Sequence, residues 1–178
     1  SISRLTARGA DPATHQPAFE ARLQALARAQ ELAAAKPDLP VDLGQLLNRV
    51  LEPFDLARFD ISGEATSLPN GFGLMAALLF HELGTNGMKY GALSVPDGRV
   101  SIGWRGDGRD ILLEWCECGG PVVTPPSRTG FGSRLVQSIL PPGKGEVTMS
   151  YEAAGLRCTV RLPCVVGAAE ADALPALA

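Results

Sequence analysis

Phe80-His81-Glu82-Leu83-Gly84-Thr85-Asn86-Gly87-Met88-Lys89-Tyr90-Gly91-Ala92-Leu93-Ser94 sets an asparagine one helical turn after a glutamate. It closes a long apolar segment, and the spacing predicts a helix over 70–90 with Gly91 as its C-cap. On such a helix Leu78, Glu82, Asn86 and Lys89 share one face. Leu79, Leu83 and Tyr90 share a neighbouring face, expected to meet a sheet. A carboxylate, a carboxamide and an ammonium along one stripe suit three tasks: positioning a water, holding Mg²⁺ by a neutral oxygen, and offsetting triphosphate charge. The same stripe also fits an ordinary solvated face. Gly84 and Gly87 argue against a plain surface helix, since each costs an exposed helix about 1 kcal/mol relative to Ala. Close approach of a ligand or tight helix–sheet packing explains both equally well. His81 lies about 100° around the helix from Glu82, outside the stripe, and is either a packed residue or a further catalytic candidate.

Two downstream segments add weight. In Trp115-Cys116-Glu117-Cys118-Gly119-Gly120-Pro121, a strand ends in an acid followed by glycines. A carboxylate there can emerge into a pocket and accept a hydrogen bond from an exocyclic amine, as acidic side chains do when they read bases. Trp115, alternating with Glu117, reads as sheet core. In Gly130-Phe131-Gly132-Ser133-Arg134-Leu135 the glycines precede a helix, where free backbone N–H groups favour phosphate. The Gly/Pro-rich run before them reads as a lid or a surface loop.

Outward from these segments, a helix is expected over 18–35 with a narrow stripe of Phe19, Leu23 and Leu26. Asp42 and Gln45 read as a capping box opening a second helix, whose Leu43, Leu46, Leu47, Val50 and Leu51 recur at amphipathic spacing until Pro53. Strands are expected at 58–61 and 65–68, joined by a Gly-containing turn, and a hairpin at 99–104 and 110–117 across Asp107-Gly108. A helix over 132–140 and a last hairpin at 146–151 and 156–162 complete the pattern. Helices flanking a mixed, largely antiparallel sheet make the class α+β, a two-layer sandwich with its helices on one face. The Ala-rich tail, 166–178, is expected to be loose.

Charged residues at 20% and apolar ones at 46% describe a globular chain that buries a real core. The net charge of −3 offers no basic excess to displace counterions, so nucleic acid is not an expected partner. The longest apolar run, 72–80, falls well short of the roughly 20 residues of a membrane span, so no membrane segment is expected and the location is read as cytoplasmic. The chain opens on Ser with no signal-peptide pattern, as a piece of a longer protein would. Cys116, Cys118, Cys158 and Cys164 match no zinc spacing and no disulfide framework, and are expected to be reduced and structural.

Taken together, these residues resemble the ATP-binding domain of bacterial HWE-type sensor histidine kinases. His81 stands where that family has the His of its asparagine box, and Trp115 and Glu117 stand as its Trp-x-Glu. The similarity runs over 19–163 and includes Arg22-Leu23-Gln24-Ala25-Leu26-Ala27, Lys89-Tyr90-Gly91-Ala92-Leu93-Ser94 and the Gly130 segment. The resemblance implies a Bergerat-type ATP fold over 41–165 with ATP and Mg²⁺ as ligands. It implies that Asn86 coordinates Mg²⁺, that Glu117 reads adenine, and that Gly119, Gly130, Phe131, Gly132 and Ser133 shape the nucleotide pocket. Glu82 matches the acid that acts as a base in related hydrolases; with His81 and Lys89 it completes the catalytic candidates. Residues 1–40 resemble part of a dimerisation and phosphoacceptor helical hairpin, which implies a homodimer. The family's acceptor motif is absent and is expected upstream, and His15 lies in a connector without it. The partners implied are that missing phosphoacceptor helix and the receiver domain of a response regulator. Gly84 and Gly87 stand where the family usually has alanines.

The leading expectation is thus the catalytic portion of a sensor kinase that passes the ATP γ-phosphoryl to a histidine, for relay to a response-regulator aspartate. A degenerate docking or phosphotransfer module without ATP would not be expected to keep Asn86, Glu117 and the glycines. An anti-sigma-type serine or threonine kinase on the same fold is disfavoured by the Trp-x-Glu box.

Overall fold

The computed structural model describes residues 40–123, 139–140 and 143–165. The expected hairpin of residues 1–36, His15, the Gly130–Ser133 segment and the 166–178 tail lie outside the described residues. So does most of the helix expected over 132–140, while residues 139–140 are a bend.

Strand β1 (Val41–Asp42) runs directly into helix α1 (Leu43–Leu51). Asp42 Oδ1 accepts the Gln45 N–H at 2.7 Å, the N-cap bond that the Asp-x-x-Gln spacing predicts. All five apolar positions of the α1 stripe are buried, so this helix is held mainly by what it covers. Pro53 does not simply end it. The chain tightens into a 3-10 turn, Glu52–Phe54, with Pro53 in its first turn, and this swings Phe54 back under the next helix.

Strands β2 (Phe59–Gly63) and β3 (Ser67–Leu68) are not the hairpin the sequence suggests. Strand β3 pairs antiparallel with β1 in a separate two-stranded ribbon, whereas β2 joins the main sheet parallel to β4 (Arg99–Gly106). Parallel neighbours need a long crossover, and helix α2 (Phe72–Tyr90) lies in the connection between β2 and β4. The hairpins β4–β5 (Asp110–Cys118) and β6–β7 (Glu146–Glu152 and Gly155–Pro163) fall where expected. At the first, Gly108 takes φ +91° and Asp107 Oδ1 accepts the N–H groups of Arg109 and Asp110. The five-stranded order is β2-β4-β5-β7-β6, with one parallel and three antiparallel pairings.

Alternation sorts the faces. Val100 and Ile102, then Ile111, Leu113 and Trp115, then Cys158, Val160 and Leu162 are buried in one cluster with α1 and α2. The opposite face carries Glu114, Arg157, Arg161 and their neighbours, joined by half-exposed ion pairs such as Arg157–Glu152 at 3.5 Å. This is the expected α+β two-layer sandwich, with its core between one sheet face and the helices.

Candidate functional site

Helix α2 carries its polar stripe from core to solvent rather than along a uniformly exposed face. Glu82 is 2% exposed, Asn86 is half-buried one turn later, and Lys89 is exposed. Tyr90, expected on the sheet-facing side with Leu79 and Leu83, is instead 74% exposed, and Gly87 and Gly91 are the last-turn positions that face Glu117. Leu79 and Leu83 are fully buried as expected. His81 is buried and its ring packs on Phe54, with centroids 5.5 Å apart and planes tilted by 59°.

The two helix glycines answer to packing. A Cβ on Gly84 would lie 2.9 to 3.1 Å from the Phe54 ring, and one on Gly87 would touch Leu93 at 3.3 Å and Glu117 Oε1 at 3.4 Å. The first makes room for the aromatic delivered by the 3-10 turn. The second lets the Glu117 carboxylate approach the helix.

Glu117 follows Ile111, Leu113 and Trp115 in the inward parity of β5, so its side chain enters the core face instead of emerging freely at the strand end; it is only 5% exposed. Its Oε2 accepts the Ala92 N–H at 2.8 Å and its Oε1 accepts the Trp115 indole N–H at 3.2 Å. Burial pushes the Glu117 carboxyl above the ordinary glutamate range, and these two donors pull against that rise. Trp115 is sheet core as expected, fully buried with Phe59 edge-on at 5.9 Å. It also steadies the acid two residues on.

Gly91 is the C-cap of α2, yet it does not take the left-handed conformation usual at helix ends; its φ is −109° and its ψ is −156°. Space is the reason for glycine here. A Cβ would fall 2.0 Å from Glu117 Oε2.

Beyond Gly91 a 3-10 turn, Ala92–Ser94, leads through a loop to Gly98 and β4. The glycines after Glu117 close on this loop. Gly119 takes φ +71°, with its Cβ position 3.1 Å from the Asp97 carbonyl oxygen, and a Cβ on Gly120 would collide with Ala92. The Arg58 guanidinium also grips the loop, donating to the carbonyls of Leu93 at 3.0 Å, Ala92 at 3.3 Å, Gly98 at 2.8 Å from Nη2 and 3.1 Å from Nε, and Val95. Sequence reasoning missed both Arg58 and the Ala92 N–H. An arginine at a strand start has no local signature of such a role, and a backbone donor has none at all.

The structure thus brings Glu117, Gly119, Gly87 and the 92–98 loop together at the C-terminal end of the helix that bears Glu82 and Asn86. Two open clefts lie elsewhere. One of about 390 Å³ is lined on the helix-free sheet face by Asp60, Ser62, Arg105 and Glu114, and one of about 470 Å³ lies between Phe72 and the Lys144 turn. Among the described residues no cluster of His, Cys, Asp and Glu suited to a metal is present, and no helix is long and apolar enough to cross a membrane. All four cysteines are free thiols. Cys158 is fully buried, and its pKa is pushed up to about 12.

The family model described as HWE histidine kinase matches residues 1–65. A Blue-light-activated histidine kinase of Rhizobium johnstonii is 34% identical over 166 residues, which cover 92% of this chain and 48% of that protein. Residues 1–65 thus match the HWE histidine kinase model, and most of this chain is similar to part of that relative. The chain spans about half the length of that relative. The matched family region ends before α2, so the readings of His81, Trp115 and Glu117 rest on the sequence pattern. Among solved structures, the histidine kinase domain of the Erythrobacter litoralis EL346 blue-light activated histidine kinase superposes with a TM-score of 0.65 at 17% identity, over 81% of this chain and 73% of that one. The histidine kinase ThkA, in complex with the response regulator protein TrrA, gives a TM-score of 0.56 at 14% identity, over 91% of this chain and 55% of that one. At these identities the likeness establishes the fold. The chain has the fold of these histidine kinase domains.

Proposed function

We propose that this chain is the ATP-binding catalytic portion of a two-component sensor histidine kinase, and that the end of α2 facing Glu117 is its nucleotide site. One observation carries the reading: a buried carboxylate, oriented by two donors, lies against the C-terminal turn of the helix that presents Asn86 one turn after Glu82. The donor set fits the ligand. Each carboxylate oxygen keeps acceptor capacity beyond the bond it makes, and Gly87 and Gly91 place no side chain between the acid and the helix end. Bound ATP with Mg²⁺ supplies the phosphoryl group. This chain's residues bind and orient it: Glu117 accepts from the base amine, Asn86 offers a neutral oxygen to the cation, and exposed Lys89 balances phosphate charge. Glu82 is the candidate base. His81, packed on Phe54, helps seat the helix. The acceptor is a histidine on a helical segment, and the onward partner is a response-regulator receiver domain, in keeping with the complex recorded for ThkA.

Calorimetric titration with a non-hydrolysable ATP analogue, with and without Mg²⁺, tests this. Magnesium-dependent binding that Asn86→Ala abolishes without lowering the melting temperature is the expected result. Absence of binding to the folded wild-type chain, or unaltered binding in the variant, would refute the site as drawn.

A further inference from the structure

We propose that Arg58 is a positioning residue for this site: by tying together the two ends of the 92–98 loop it holds the Ala92 N–H against Glu117, and so sets the carboxylate that meets the base. The inference rests on the nucleotide reading above and adds to it a residue that no motif marks.

Arg58 ends a 3-10 turn, Leu56–Arg58, immediately before β2, so its backbone is anchored in the main sheet. Its half-buried guanidinium spends its donors on backbone carbonyls of one short loop. Three of those acceptors, Ala92, Leu93 and Val95, lie in or just after the 3-10 turn Ala92–Ser94; the Ala92 and Val95 carbonyls also accept the N–H groups of Val95 and Gly98, so the guanidinium reinforces the loop's own turns. The fourth, Gly98, is the last residue before β4. A single fork therefore grips the first and last residues of the loop, and opening the loop would strand several acceptors at once.

The beginning of that loop is the part that touches Glu117. The Ala92 residue whose carbonyl accepts from Arg58 presents its N–H to Glu117 Oε2. The far end is closed by the backbone after Glu117, where Gly119 meets the Asp97 carbonyl. Partial burial of a guanidinium costs solvation, which a planar fork offsets here through bonds from Nε, Nη1 and Nη2 to four carbonyls. An ordinary surface loop has no need of such a clamp; a loop that must present one N–H to one carboxylate does. Lysine would keep the charge but lose the fork, since a point ammonium on a flexible stem cannot span carbonyls at both ends.

The test uses the full chain with Arg58→Lys, and with Arg58→Ala in the presence and absence of added guanidinium. Affinities are read by calorimetry for a non-hydrolysable ATP analogue and for inorganic triphosphate, both with Mg²⁺, and hydrogen exchange is followed at the Ala92 amide. Arg58→Lys is expected to weaken the ATP analogue about tenfold, the scale of a disturbed hydrogen bond to a charged group, while triphosphate binding changes little. Ala92 exchange should accelerate, and guanidinium should restore part of the adenine preference to Arg58→Ala. A folded Arg58→Lys chain with the wild-type ratio of the two affinities would overturn the positioning role, even if its melting temperature fell. Wild type that binds neither ligand would instead overturn the nucleotide reading, and this inference with it.

Discussion

At the scale of single residues, Glu117 and Gly91 depend on each other. The carboxylate occupies space that any side chain at Gly91 would need, so Gly91→Ala forces either the acid or the helix end to move. The expected cost is about 1–3 kcal/mol, the usual range for overpacking, seen as a lower melting temperature together with weakened ATP-analogue binding. Glu117 also carries a signature in pH. Burial raises its folded-state pKa above the ordinary value that the unfolded chain retains, so the folded state takes up the proton first. The resulting penalty is full above the raised pKa, relaxes as pH falls through it, and vanishes below the ordinary glutamate value. Wild type should therefore gain stability relative to Glu117→Gln as pH falls from neutral to the ordinary glutamate range, measured by urea unfolding. A difference that stays flat over that window would mean that Glu117 is not desolvated as described.

Among the elements, α2 is held less by its own sequence than by what its glycines admit. Gly84 accommodates the Phe54 ring brought by the 3-10 turn after α1, so two elements that are separate in sequence interlock through a missing methyl group. Alanine usually favours a helix over glycine, by about 1 kcal/mol. Here Gly84→Ala should destabilise instead, since the added Cβ would lie 2.9 Å from an aromatic carbon. Thermal unfolding of Gly84→Ala decides between the two, and Gly84→Ala with Phe54→Leu should recover stability lost by the first change alone. The β2 and β3 segments teach the complementary lesson. Each is strand-like locally, yet one joins the main sheet and the other a separate ribbon, because partner choice depends on the crossover through α2.

For the molecule as a whole, the core between sheet and helices is continuous, and Cys158 lies fully within it on β7. With its thiol pKa near 12, Cys158 should stay unlabelled by an alkylating reagent at neutral pH while exposed Cys118 reacts, and should label only at the rate of global unfolding. Faster labelling would reveal a local opening of the central strands. Much of this architecture was legible beforehand: the α1 stripe, the Asp42 cap, the long α2 helix and both hairpins follow from periodicity and turn chemistry, which act over a few residues. The Glu82, Asn86 and Glu117 candidates were also legible, as residue types at telling spacings. Their surroundings were not. Glu117 finds the Ala92 N–H across 25 positions and Arg58 finds Gly98 across 40. Hydrophobic period and local motif are written into short stretches, so the order of residues alone was enough for most of the elements and for the sandwich class. Which donors meet Glu117, why Gly91 lacks a side chain and which cation clamps the loop emerge only in the packed fold, because those contacts join distant elements.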